Sequence, residues 1–211
     1  VELASLAAAA GVTVEEVEAE ELVRRAGPGV PHQGAVLGAG PLPEVALAEL
    51  ARGEPPRTLV ALDGVEDPQN VGAIARAAEA AGATGLVLTR RRSPPLGPTV
   101  SRSSAGAIEW LPVARVVNLS RALRELAESG FWVFGTASER GEDLFRLDPR
   151  IVRGSRVVVL GGEGRGIRSG VAGQVDHWVR IPMAGRIGSL NVATAAGIVL
   201  FELARASRAG G

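Results

Sequence analysis

Five polar side chains stand out by type and place: Asn70 and Arg76 in one segment, Glu163 in a second, Ser189 and Asn191 in a third. The first segment, Asp63–Gly–Val–Glu–Asp–Pro–Gln–Asn70–Val–Gly72–Ala–Ile–Ala–Arg76, follows an apolar run at 58–62. That is the carboxyl end of a strand, where open α/β sheets build their sites. A carboxamide and a guanidinium there can hold anionic oxygens, although Arg76 reads equally well as a surface arginine on a capped helix. In the second, a buried-looking run at 157–160 enters Gly161–Gly162–Glu163–Gly164–Arg165–Gly166. Glycines let backbone approach a ligand and successive N–H groups bind its polar atoms, but a tight structural turn has the same composition. The spacing is not the dinucleotide fingerprint, and a chain without lysine has no P-loop. The third runs Ile181–Pro–Met183–Ala–Gly185–Arg–Ile–Gly188–Ser189–Leu190–Asn191–Val192, a strand end, a glycine-bearing loop and a helix start. Unbonded N–H groups at a helix start favour an anion or a polar ligand edge; simple capping by Ser189 is the alternative. Last, Arg90, Arg91, Arg92, Arg102 and Arg115 face only Glu109 along the sequence, which suits phosphate binding or a solvated charged loop.

These residues need a frame. Strands are expected at 58–62, 86–89, 131–135, 157–160 and 178–181, and helices at 71–81, 119–129 and 190–208. Asn70 is placed to cap the helix from 71, and Asn118 or Ser120 the helix at 119. Continuous apolar strands joined by helices predict an α/β fold, a parallel sheet with helices on both faces. Upstream, a helix at 3–10, a strand-like run at 12–14, a helix at 18–26 and an apolar stretch at 34–37 precede a four-proline connector at 41–56. A short helix fits within that connector at 44–52. Val1 sits at the edge of a helical pattern, so more chain is expected before it.

Composition narrows the chemistry. The 211 residues include no cysteine, which excludes a disulfide framework and thiolate chemistry, and His32 and His177 stand far apart, so no metal centre is expected. Aromatics are 3%, too few for a stacking-based single-strand binder. Trp110, Trp132 and Trp178 are expected to pack in or beside strands, and Phe201 to sit in the core or a dimer contact. No apolar run approaches the roughly 20 residues of a membrane span, so no membrane partner and a cytoplasmic location are expected. Net charge is zero, yet residues 1–56 carry three arginines and nine acids, a net of −6, while residues 57–211 carry 20 arginines and 14 acids, a net of +6. The second part is suited to a polyanion.

Taken in order, the segments resemble the SPOUT class, specifically the SpoU branch of RNA ribose 2′-O-methyltransferases. The pattern Asn–x–Gly–x–x–x–Arg is Asn70, Gly72 and Arg76; Gly–x–Glu–x–x–Gly is Gly161, Glu163 and Gly166; and the third motif runs whole from Ile181 to Val192. Within the family, His32–Gln33–Gly34 and the run from Ser104 to Asn118 are similar to enzymes modifying a guanosine of 23S rRNA. The resemblance implies a C-terminal deep trefoil knot holding S-adenosylmethionine, a homodimer, and an RNA partner, most specifically 23S rRNA. It implies Asn70, Arg76, Glu163, Ser189 and Asn191 as catalytic residues and Gly161, Gly162, Gly166, Ile181, Met183 and Leu190 as the cofactor's wall. It also implies that residues 1–40 are part of an L30e-like RNA-binding domain, 41–56 a linker and 57–211 the methyltransferase domain. Methylation of tRNA or of a resistance-type rRNA site, and a non-catalytic RNA-binding relative, are the alternatives. A nicotinamide oxidoreductase is excluded, because Leu62 is followed by Asp63–Gly–Val–Glu and not by a glycine fingerprint.

Overall fold

The computed structural model describes residues 2–27, 29–162 and 164–208. The chain divides into two compact units, Val1–Gly40 and Pro41–Gly211. In the first, α1 (Glu2–Ala9) and α2 (Ala19–Ala26) are the elements among the described residues. Acids lead α2 and arginines end it, matching its macrodipole, and Glu21 accepts from both Arg24 and Arg25. The strand expected at 12–14 is absent there: Val12 and Val14 are exposed, with no edge to pair with.

The segment at 41–56, expected as a linker, belongs to the second unit. The Val45 N–H donates to Val113 O, and α3 (Leu47–Leu50) buries Leu50 so tightly that a Cβ on Gly85 would stand 2.6 Å from its Cδ2. An apolar side chain with a glycine-sized seat outweighs the proline-rich composition that suggested a connector.

From there the chain alternates. The elements are β1 (Thr58–Asp63), α4 (Pro68–Ala80), β2 (Gly85–Thr89), α5 (Pro98–Ser103), α6 (Ala107–Trp110), β3 (Val113–Val116), α7 (Leu119–Glu128), β4 (Trp132–Thr136) and β5 (Glu142–Asp143). They continue with β6 (Arg156–Gly161), α8 (Ser169–Ala172), β7 (His177–Arg180) and α9 (Val192–Arg208). Among the described residues the strands form one sheet in the order β3-β2-β1-β6-β4-β7-β5, every pairing parallel. Side chains alternate across it. Val60, Leu62, Val158 and Leu160 join a core with α4 and α9, while Leu59, Ala61, Val157 and Val159 join another with α7 and α8. Each buried valine or leucine there contributes about 1.5–3 kcal/mol, which is why the central strands read as unbroken apolar runs.

Two details of α4 matter for the site. It begins at Pro68, not 71, because Asp67 is the cap: its side chain accepts from the Gln69 N–H at 2.9 Å, with Pro68 in the first helical position. Asn70 therefore sits inside the first turn. Gly72 lets α5 approach closely, since a Cβ there would stand 1.8 Å from Ser103 Oγ and 2.7 Å from Val100 O. Of the tryptophans, Trp110 departs from expectation at 83% exposed, whereas Trp132, half-exposed on β4, meets the His177 ring edge-on at 5.4 Å and Trp178 lies under the Arg140 guanidinium. Phe201 is exposed on α9.

Candidate functional site

Parallel strands end together, so the loops leaving them share one edge of the sheet. At that edge lies a cavity of about 570 Å³, within the usual range for small-molecule sites. Gly161, Gly162 and Gly166 form one wall, Ile181 and Met183 a second, and Ser189, Leu190 and Asn191 a third. All six residues expected to hold a cofactor are brought together here, with two of those expected to be catalytic. Thr136, Ala137 and Ser138, at the end of β4, line it as well and were not expected from the sequence. The signal was present: they follow a strand whose neighbours' ends carry the other walls. No charged side chain lines the cavity among the described residues. Glycine makes the room, since a Cβ on Gly161 would lie 2.2 Å from Gly166 C.

A second cavity, about 540 Å³, adjoins the first and shares Gly162, Gly166 and Val192 with it. Its character is opposite. Asp63, Glu66, Asp67, Arg92, Arg165 and Arg168 line it, together with Asn70. The two cavities meet at a carboxamide pair: Asn191 Nδ2 donates to Asn70 Oδ1 at 2.9 Å. Asn191 also caps α9, its Oδ1 accepting from the Ala193 N–H at 2.9 Å, so the capping role considered for Ser189 falls to Asn191. Asn191→Ala is expected to lower stability by about 1 kcal/mol through loss of that cap. Asn70→Ala, which leaves the cap in place, is expected to cost less; denaturant titration of both variants checks the difference.

The remaining expected residues are scattered. Arg76 is exposed and lines neither cavity. Six residues beyond Asn70 on a helix of 3.6 per turn, it lies about 120° round from it. Glu163 lies outside the described residues. Of the arginines, Arg92 lines the polar cavity from a left-handed backbone (φ 63°), and Arg91 and Arg102 are exposed. The loop's base is tied down by the Thr89 hydroxyl, which donates to Arg91 O. Arg115 is turned inward, 11% exposed, against Glu44 at 3.3 Å, and its Nη2 donates to Pro94 O at 2.5 Å. Arg90 shares Glu44 at 3.6 Å. Glu44, from the segment expected to be a linker, is thus the acid facing this stretch, while Glu109 accepts from Ser101 Oγ. No group of acids and histidines that could hold a metal occurs among the described residues, and none of their helices is long and apolar enough to cross a membrane.

The chain is similar to known proteins in sequence and in fold. The chain is 40% identical over 207 residues to the 23S rRNA (guanosine-2′-O-)-methyltransferase of Pseudomonas syringae pv. tomato, covering 96% of this chain and 81% of that protein. Among solved structures it resembles an AdoMet-bound rRNA methyltransferase from Sinorhizobium meliloti, with TM-score 0.70 and 33% identity, over 77% of this chain and 61% of that one. It also resembles the SpoU methyltransferase AviRb from Streptomyces viridochromogenes in complex with AdoMet, with TM-score 0.69 and 28% identity, over 80% and 67% of the two chains. Residues 57–201 match the SpoU rRNA Methylase family, and with the parallel sheet, the glycine-walled cavity and the carboxamide pair at its edge this places the chain in that family.

Proposed function

We propose that this chain is an S-adenosylmethionine-dependent RNA methyltransferase acting on a ribose 2′-hydroxyl, with a guanosine of 23S rRNA as its target. The observation that carries this reading is the pairing of an uncharged, glycine-walled cavity with an arginine-bearing polar one, joined at Asn70 and Asn191. The first suits the cofactor, because apolar side chains and bare backbone can take a nucleoside and a thioether chain together. The second suits a nucleotide, whose phosphate Arg92 can meet. Gly161, Gly162, Gly166, Ile181, Met183 and Leu190 would hold the cofactor. When bound, it supplies an electrophilic methyl group.

The chain's own residues then position and stabilise. A guanidinium offers only donors and no acceptor, so Arg76 holds the RNA phosphate and offsets charge developing on the ribose oxygen. Glu163 orients Arg76 or accepts from the nucleotide. Ser189 and Asn191 fix the ribose and the loop before α9. Arg90, Arg91, Arg92 and Arg102 form the outward-facing phosphate-binding surface, and Arg115, held inward by Glu44 and Pro94 O, supports the loop behind it.

Three structural readings accompany the function. The glycine loop after β6 and the loop before α9 fold over one cavity, which supports a deep trefoil knot there. Arg76 faces away from Asn70, and Phe201 is exposed on α9, which supports a homodimer in which a second copy completes the site. Residues 1–40 belong to an L30e-like RNA-binding domain. Acting on bacterial rRNA, as its relative from Pseudomonas syringae pv. tomato is named for doing, it would work in the cytoplasm.

The test uses labelled S-adenosylmethionine and unmodified 23S rRNA, followed by alkaline hydrolysis. A 2′-O-methyl group blocks cleavage at its own phosphodiester, so ribose methylation leaves label in an alkali-resistant dinucleotide. Label in mononucleotides would mean base methylation and would overturn the roles of Arg76 and Ser189. Label in tRNA alone would move the substrate, and no label in either would leave an RNA-binding relative.

A further inference from the structure

Asp63 ends β1 with its side chain buried, 1% exposed, and no role above uses it. Burying a carboxylate is costly unless donors and a countercharge meet it. One residue, 105 positions later, does both. Oδ2 accepts from the Arg168 backbone N–H at 2.8 Å, Oδ1 accepts from Arg168 Nε at 2.7 Å, and Nη2 closes on the same oxygen. Backbone contacts surround the pair: the Gly162 N–H donates to Asp63 O at 2.9 Å and the Gly166 N–H to Gly162 O at 3.0 Å. A Cβ on Gly162 would stand 2.1 Å from Gly64 O. The loop between β6 and α8 is thus pressed against the end of β1, and Gly162 and Gly166 within it form the wall that the two cavities share.

We infer that Asp63 and Arg168 are a positioning pair, in which the buried carboxylate fixes the 162–168 loop as the partition between the cofactor cavity and the nucleotide cavity. The two sites are then set by one contact. The inference rests on the function proposed above for its ligands, and the geometry offers a discriminating readout. Both residues line the polar cavity only, so any effect on cofactor affinity has to pass through the loop.

The experiment uses the full chain with Asp63→Asn, Arg168→Ala and the double substitution. It measures S-adenosylmethionine affinity by calorimetry and amide hydrogen exchange over 161–168 without ligand. Each single variant is expected to weaken cofactor binding by about tenfold or more, the scale of a slightly misplaced binding wall. Exchange should quicken over the loop while β2 and β6 keep their protection, and the double variant should be no worse than Asp63→Asn alone. If Asp63→Asn unfolds the sheet, Arg168→Ala carries the test, because its side chain is 38% exposed and outside the core. Unchanged cofactor affinity with unchanged loop exchange overturns the pair's role. So does a loss confined to KM for RNA, which would make Arg168 a phosphate ligand. A parent chain that does not bind S-adenosylmethionine would overturn the function instead, and the exchange data would still decide on the pair.

Discussion

Arg76→Ala is expected to slow methyl transfer by about 100- to 1000-fold, the usual loss when one preorganised charge-stabilising group is removed. Cofactor affinity should stay within about twofold. The separation follows from position: Arg76 is exposed on α4, about 120° round the helix from Asn70, and lines neither cavity. Stability should hold or rise slightly, because Arg76 is exposed on the helix and alanine is the better helix former. Single-turnover transfer measured beside calorimetry of the cofactor checks both halves. A large loss of cofactor binding would sink this division of labour.

Gly161→Ala is expected to do the reverse, weakening cofactor binding by more than about 100-fold. The added Cβ would meet Gly166 C at 2.2 Å, Ile167 N at 2.4 Å and Gly166 O at 2.6 Å, all backbone, so no rotamer change relieves the clash. β6 and the returning loop have to part, opening the cavity wall at a cost of about 1–3 kcal/mol in stability. Gly164→Ala is the control. Its φ of 79° is strained for alanine, but nothing lies within 4 Å, so the cost should be about 1 kcal/mol with a smaller change in affinity. Calorimetry and denaturant titration of the two variants together separate a closed wall from mere backbone strain.

The sequence was most informative where periodicity and burial coincide. The expected runs at 58–62, 86–89 and 157–160 became the central strands because both faces of each are covered. It was least informative where a short element exists only through its neighbours. The two-residue β5 pairs along one side only, β3 has a single bridge to Glu44 on its outer side, and α5 and α6 are too brief for a helical period to show. The start of α4 was misplaced because Asn70 and Asp67 are both good caps, and Pro68 decides between them through its fixed φ. That choice has a functional result, since an Asn70 engaged as cap would not meet Asn191. The glycine, 181–183 and 189–191 walls of the first cavity were legible in their motifs, whereas Thr136 to Ser138 became visible only once β4 was seated beside β6. Arg115 was read as a phosphate contact because its partner, Glu44, lies 71 positions earlier in a stretch that looked like a tether.

The pairing of β1 with β6 sets a timetable for the molecule. Arg57 and Ser155, bonded at the foot of that pair, are 98 residues apart, and the Asp63–Arg168 contact at its head spans 105. Loops of that length close slowly, and sheets built on distant parallel partners fold late and slowly. On the ribosome, β1, β2 and β3 are made long before the strand that completes their sheet, so Leu59 and Ala61 wait with an open edge beside them. The cavity then forms in one late event, when the last fifth of the chain is supplied, and a nascent chain stopped before α9 should be protease-sensitive and blind to cofactor.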